Sequence, residues 1–209
     1  MNIYLLRHGE TDWNLAGRLQ GHTDIPLNQN GKEQISKVAE ILADLHSRID
    51  LIISSPLSRA CESAEIVAGR LAYGKKNIVI EPLLIERCFG LGEGLTASER
   101  AEKYPGDNYP EMESFEDLIT RAHMAFETIV DSFDDKQNIL VVAHGAILYA
   151  IVTAITEGQI EYGSKMVKFD QGSIYRIRYS DTTIELARYN EEDHDFRFVS
   201  SHEAPSSTI

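Results

Sequence analysis

Two apolar runs in this 209-residue sequence stop on the same dipeptide. LLRHGETDWN, beginning at Leu5, sets Arg7 and His8 before Gly9, and LVVAHGAI, beginning at Leu140, sets His144 before Gly145. A neutral imidazole is a nucleophile or a general base, and arginine is a planar donor fork suited to phosphoryl or carboxylate oxygens. Two further residues belong to the same class of chemistry. Arg59 follows the apolar run IISS inside SPLSRA, and Glu86 closes the segment after NIVIEP. Two imidazoles, two guanidiniums and one carboxyl suit phosphoryl transfer through histidine. The arginines neutralise the phosphoryl oxygens, one imidazole attacks, and the carboxyl protonates the leaving oxygen.

These residues can cooperate only if the fold brings them to one edge. Strand-like and helix-like segments alternate, which predicts an α/β fold in three layers, α/β/α. The central sheet is expected to be mostly parallel, with an antiparallel edge strand. Strands are read at Asn2 to Arg7, 50–55, 77–82 and 138–144, the last a continuous apolar run typical of a strand buried on both faces. Helices are read from about Gln29 to His46, after Ser55-Pro56 with Ser55 as N-cap and Pro56 in the first turn, and from Phe115 behind a Ser114 cap. AILYAIVTAI reads as a buried helix, and 173–180 pairs with 183–189 as an edge hairpin. In such a sheet, functional groups gather beyond the carboxyl ends of the strands, where His8 and His144 both fall. Glycine after each histidine is read as freeing the backbone to turn and approach a ligand. Residues 1–190 read as a single α/β domain with a cap excursion at about 87–113, and 191–209 as a polar acidic tail, partly disordered.

Composition narrows the alternatives. The 33 acidic against 20 basic residues give a net charge of −13, with no basic run, so nucleic acid is not an expected partner. Two cysteines, Cys61 and Cys88, are too few for a disulfide framework and read as reduced thiols. No leader-like or membrane-spanning segment is read, so a soluble, cytoplasmic protein without membrane association is expected. GRLAYGKK resembles a P-loop, but Lys76 replaces the hydroxyl residue and the stretch follows a helix. The seven histidines include no HExxH set, so no metal and no cofactor is expected.

RHGETDWN, GRLQGHTDIPLNQNG, IISSPLSRA, ERCFGLGEGLT and VVAHG, in that order, resemble the histidine phosphatase superfamily, also called phosphoglycerate mutase-like, over roughly residues 2–180. The resemblance implies His8 as the histidine that takes the phosphoryl group, Arg7 and Arg59 as phosphate-binding arginines, Glu86 as proton donor and His144 as second histidine. It further implies Asn14, Gln20, Gly21, Thr23 and Gly145 as substrate-binding positions. The implied activity is metal-independent hydrolysis of small phosphorylated metabolites through a phosphohistidine. Alternatives are a phosphoglycerate mutase, a non-catalytic sensor of phosphorylated ligands, or a phosphatase acting on a partner protein.

Hydrolysis is favoured over mutase chemistry by the spacing between Glu86 and His144 and by the absence of a paired arginine. It is also favoured by seven acids between Glu99 and Asp117, read as an acidic lid over the site or, equally, as a solvated surface loop with no say in specificity. Leu91, Leu95, Tyr104, Tyr109 and Met112 are read as an apolar rim of the pocket or as a small satellite core. Gly92 stands where a bulky aromatic is common in the family, which would open the pocket or loosen the loop. Cys88 is read as a packed, inert thiol before a redox-sensitive one. Oligomeric state is not legible.

Overall fold

A computed structural model describes residues 1–44, 48–74, 77–132, 137–180 and 182–203. Strand β1 (Asn2–Arg7) shows how the layers arise. Its side chains alternate, so Ile3 and Leu5 enter one core while Tyr4 and Leu6 enter the other. Strand β4 (Asn138–Ala143) divides in the same way, with Ile139, Val141 and Ala143 on the first face and Leu140 and Val142 on the second. Helices α2 (Gln29–Asp44) and α3 (Ser58–Arg70) cover the second face; α5 (Phe115–Asp131) and α6 (Gly145–Ile155) cover the first. The architecture is the expected α/β/α sandwich.

One sheet runs β3-β2-β4-β1-β5-β6-β7. The pairs among β1, β4, β2 (Leu51–Ser54) and β3 (Val79–Ile80) are parallel. Beyond β1, strands β5 (Ile174–Tyr179), β6 (Thr183–Asn190) and β7 (Asp195–Glu203) are antiparallel. The antiparallel part is therefore wider than a single edge strand. The third predicted strand shrinks to two exposed residues, Val79 and Ile80, at the opposite edge.

The expected polar tail is corrected by β7. Residues 195–203 pair along β6, and Phe196 is buried against Tyr4 and Tyr189, with its ring 4.6 Å from the Arg176 guanidinium carbon. The strand carries no clean alternation, since Phe198 is exposed and a register shift separates it from the buried Ser200; residues 204–209 lie outside the described chain. The end of the first predicted helix, past Asp44, also lies outside it.

A second correction concerns α3. Its N-cap is Leu57, which has no side-chain acceptor to offer, and the Ser55 hydroxyl instead meets His144 Nε2 at 2.6 Å and accepts from Leu57 N at 3.4 Å. Helix α5 begins as expected, with the Ser114 hydroxyl accepting from Asp117 N at 3.0 Å. Within the cap excursion, a short helix α4 (Ala97–Lys103) forms behind a Thr96–Glu99 capping box. The four-residue helix α1 (Asp12–Leu15), capped by Thr11, carries Asn14. Both cysteines are free thiols; Cys61 is held up in pKa by burial, and the Cys88 thiol rests on the Glu111 carbonyl at 3.6 Å. Among the described residues no helix is long and apolar enough to cross a membrane.

Candidate active site

The register of two parallel strands accounts for the repeated His-Gly. Arg7 is level with Ala143, so the next residues, His8 and His144, emerge side by side, with His8 N bonded to Ala143 O at 3.0 Å. Their ring centroids lie 5.1 Å apart. Strand β2 ends at the same level: Ser55 N donates to Val142 O, and the chain turns into α3, whose second residue is Arg59. Three neighbouring strand ends thus deliver two imidazoles and a guanidinium to one spot.

Hydrogen bonds fix the orientation of each group. His8 Nδ1–H donates to Gly9 O at 2.7 Å, which leaves Nε2 as the free, lone-pair-bearing nitrogen. Arg59, with no exposed surface, donates Nε–H to His144 Nδ1 at 3.2 Å, Nη1–H to Thr23 O at 3.0 Å and Nη2–H to Gly21 O at 2.8 Å. One N–H remains on each terminal nitrogen. With Nδ1 accepting, His144 carries its proton on Nε2 and gives it to Ser55 Oγ. Arg7 donates Nη1–H to Phe169 O at 2.5 Å, and its Nε is buried without a partner among the described residues. A buried, unpaired guanidinium nitrogen is costly unless something anionic completes it.

Burial pushes both imidazoles well below their ordinary pKa. For His8 the adjacent charges of Arg7 and Arg59 add to the effect; for His144 Arg59 leads, followed by His8 and Arg7. Both rings are therefore neutral near pH 7, the state a nucleophile needs. Burial also lowers both guanidinium pKa values from their ordinary range, while Glu86 pulls the other way.

Glu86 sits at the N-terminus of α6. Its Oε1 accepts from Arg87 N at 2.9 Å and Ile147 N at 3.1 Å, and its Oε2 from Ala146 N at 3.3 Å. The free N–H groups of that helix therefore hold the Glu86 side chain in place. The backbone around Glu86 is gripped from outside as well. Arg121 donates to the carbonyls of Leu83 and Ile85, both at 2.7 Å, and its fork is bidentate with Glu113 at 2.8 Å on both oxygens. Glu113 O in turn accepts from Arg87, and His22 Nε2–H donates to Glu86 O at 2.9 Å.

These groups open into a cavity of about 370 Å³. Of the sequence-derived site residues, Arg7, His8, Asn14, Gln20, Arg59, Glu86 and Gly145 line it. The amide oxygens of Asn14 and Gln20 both face Thr11, at 3.1 and 2.9 Å, which leaves their NH₂ ends for an anion. The other three site residues lie behind the wall. His144 is fully buried beneath Arg59, Gly21 contributes only its carbonyl to Arg59, and Thr23 gives its hydroxyl to Glu93. Burial of Glu93 favours its protonated form, but bonds from Thr23, His22 and Phe89 outweigh it and hold the carboxyl below its usual range.

Two readings of the cap are corrected here. None of the seven acids between Glu99 and Asp117 lines the cavity; the residue of that segment that does is Arg100. The apolar rim is not Leu91, Leu95, Tyr104, Tyr109 and Met112, none of which lines it. Tyr109 is buried edge-on to Tyr104 and packs on Gly92, where a Cβ would lie 2.6 Å from its ring, so Gly92 seats that ring and neither opens the pocket nor loosens the loop. The walls are instead Leu19, Phe89, Tyr149, Tyr162 and Phe169, with Gly17, Arg18 and Ala146. Tyr149 stands with Thr153 as one of two hydroxyl residues in an otherwise apolar helix, a weak signal in the sequence. Tyr162 and Phe169 belong to an irregular loop with no pattern that could have marked them. Burial, with Glu86 nearby, pushes the Tyr162 phenol up to about 12. A larger surface cleft of about 630 Å³ between α2 and the β6–β7 turn contains no comparable set of groups.

Fold and pocket define a class: an α/β protein with a histidine- and arginine-lined cavity at the carboxyl ends of its parallel strands. A model of the histidine phosphatase superfamily (branch 1) matches residues 3–192, so the chain belongs to that superfamily. It is an enzyme of the phosphoglycerate mutase-like phosphatase type. It is 35% identical over 197 residues to a Bacillus subtilis (strain 168) protein named uncharacterized phosphatase PhoE, covering 94% of this chain and 98% of the relative. It is 31% identical to a probable phosphoglycerate mutase, GpmB, of Proteus mirabilis, covering 87% of this chain and 86% of that one. Among solved structures, Bacillus stearothermophilus YhfR is similar at a TM-score of 0.73 and 28% identity, over 86% of this chain and 91% of that one. A mycobacterial glucosyl-3-phosphoglycerate phosphatase shares the fold at a TM-score of 0.77 and 23% identity, over 95% and 99% of the two chains.

Proposed function

We propose that this enzyme hydrolyses phosphomonoesters of small metabolites by way of a phosphohistidine at His8. The observation that carries the reading is the placement of the His8 ring. Its Nδ1–H is tied to Gly9 O, its Nε2 is free, and Arg7 and Arg59 share its cavity. His8 Nε2 attacks phosphorus as the bond to the leaving oxygen breaks, and a proton on Glu86 Oε2 passes to that oxygen. Water then attacks the phosphohistidine, Glu86 takes up its proton, and the N–P bond breaks to give inorganic phosphate. Arg7 Nε and the two remaining Arg59 N–H groups are the donors suited to the equatorial oxygens, with the amides of Asn14 and Gln20. His144 acts from behind: it fixes the Arg59 fork and is fixed by Ser55. Catalysis is by positioning and charge, as is usual for phosphoryl transfer.

Hydrolysis is favoured over mutase chemistry by the short cap and by the likeness to the phosphatase-named relative over nearly the whole of both chains. The seven acids of the cap do not line the cavity and add nothing to that preference. The reading is tested by rapid-quench labelling with radiolabelled p-nitrophenyl phosphate in EDTA. An acid-labile, base-stable phosphoenzyme is expected in the wild type and none in His8→Ala. If His8→Ala turns over at close to the wild-type rate, the reading fails; if the label passes to added phosphoglycerate faster than to water, the mutase alternative replaces it.

A further inference from the structure

We infer that the outer part of the cavity is a second anion subsite, formed by Arg18 and Arg100, and that the preferred substrates are phosphomonoesters with a carboxylate or second acidic group on an organic body. The inference rests on the phosphatase reading and names its substrate class. Two loops bring the arginines together. Leu19 N donates to Leu95 O at 3.0 Å, Gly94 N donates to Leu19 O at 2.9 Å, and Arg18 pairs with Thr96 as an isolated antiparallel bridge. Each guanidinium is then pinned to a backbone carbonyl: Arg18 Nη1–H to Gly94 O at 2.6 Å and Arg100 Nη1–H to Leu95 O at 2.9 Å. Both side chains line the cavity, and Arg100 Nε is buried with no partner among the described residues.

Charge makes the case quantitative in sign. The cavity wall holds four arginines, Arg7, Arg18, Arg59 and Arg100, against one carboxyl, Glu86, in a protein of net charge −13. A phosphoryl dianion is matched by Arg7 and Arg59 alone, which leaves two cations for another anion. Glu99 is the acid closest to competing for Arg18, at 3.6 Å, but both side chains are more than a third exposed and Glu99 is already held by Thr96 N at 2.7 Å. Such a pair is worth little against a substrate carboxylate in a fork geometry. Leu19, Phe89, Tyr149, Tyr162 and Phe169 supply the apolar surface for the body of the substrate.

The test compares the three carboxyphenyl phosphates with their carbamoylphenyl phosphate isosteres, which match them in size and lack the second charge. At least one carboxylated isomer is expected to exceed its amide in kcat/KM by on the order of tenfold or more. Arg18→Gln and Arg100→Gln are expected to bring that ratio towards one, and Arg18→Lys and Arg100→Lys to retain part of it. Circular dichroism of each variant separates a lost subsite from a lost loop, and the wild-type ratio decides the matter without any variant. Equal or inverted wild-type ratios for all three isomers overturn the inference while leaving the phosphatase reading intact, as does a wild-type ratio in both Gln variants. If no ester at all is hydrolysed, the phosphatase reading fails, and calorimetric dissociation constants for the same pairs still decide the subsite.

Discussion

His8-Gly9 and His144-Gly145 are the same dipeptide at the ends of adjacent strands, and they do different work. The His8 ring faces the cavity with a free Nε2; the His144 ring is sealed behind it, with one nitrogen on Arg59 and the other on Ser55. The glycines differ as much. A Cβ on Gly9 would lie 2.4 Å from the Gly31 carbonyl oxygen, so Gly9 is there to let β1 and α2 approach backbone to backbone. A Cβ on Gly145 would meet the Arg7 guanidinium carbon at 3.4 Å, an ordinary contact, so nothing beside it excludes a methyl group. Neither glycine has a positive φ, so the expected sharp turn is not their reason. A shared motif fixes where residues emerge, and their neighbours decide what they do.

The comparison can be broken first at the histidines. His8→Ala is expected to lower turnover by about 10⁴-fold or more with the melting temperature nearly unchanged, since a lost nucleophile is not replaced. His144→Ala should cost about 10²–10³-fold in kcat and also destabilise, because Arg59 Nε and Ser55 Oγ lose a buried partner. Equal effects of the two substitutions on rate, without any effect of His144→Ala on stability, would erase the distinction.

The glycines come next. Gly9→Ala is expected to destabilise by about 3 kcal/mol or more through overpacking against rigid backbone, whereas Gly145→Ala, which meets Arg7 at ordinary contact distance, should leave the fold and phosphate binding nearly unchanged. Urea unfolding and the inhibition constant for inorganic phosphate read the two outcomes.

pH sharpens the picture further, because burial of both rings makes it shared. Both imidazoles have folded pKa values well below the ordinary value near 6.5. Below that pH the unfolded chain binds protons that the folded one refuses, so stability is full above about pH 6.5 and falls as the pH drops further. Each ring contributes a slope of about 1.4 kcal/mol per pH unit in that range. Melting curves from pH 7 to 5 should therefore be shallower in a His8→Asn variant; an unchanged slope would contradict the burial argument.

The smallest effect is expected at the clamp behind Glu86. Glu113→Gln weakens the fork on Arg121 and, through it, the grip on the 83–86 carbonyls, with a drop in kcat of about tenfold and little change in KM. Glu113→Asp should restore part of the loss. A change confined to KM would remove the positioning role.

Local sequence was sufficient where short-range rules decide. Period-two alternation in β1, a fully apolar β4 and the Ser114 cap of α5 set their elements without help from distant residues. Because His8 and His144 each follow a strand directly, their arrival at one edge was also legible, as were Arg59 at a helix start and Glu86 beyond the third strand. Tertiary structure alone decided the rest, because those features depend on pairs far apart in sequence. The strand character of 195–203 appeared only once Phe196 found Tyr4 and Tyr189. The sign of the cavity was invisible in a segment of seven acids, since composition counts charges without saying which way they face. Arg18 and Arg100 became neighbours only through the Leu19–Leu95 backbone bond, and Gly9 was required only because Gly31 crosses it. Chain-local propensities place the candidate site residues; the contacts that long-range packing brings together decide what else lines the pocket.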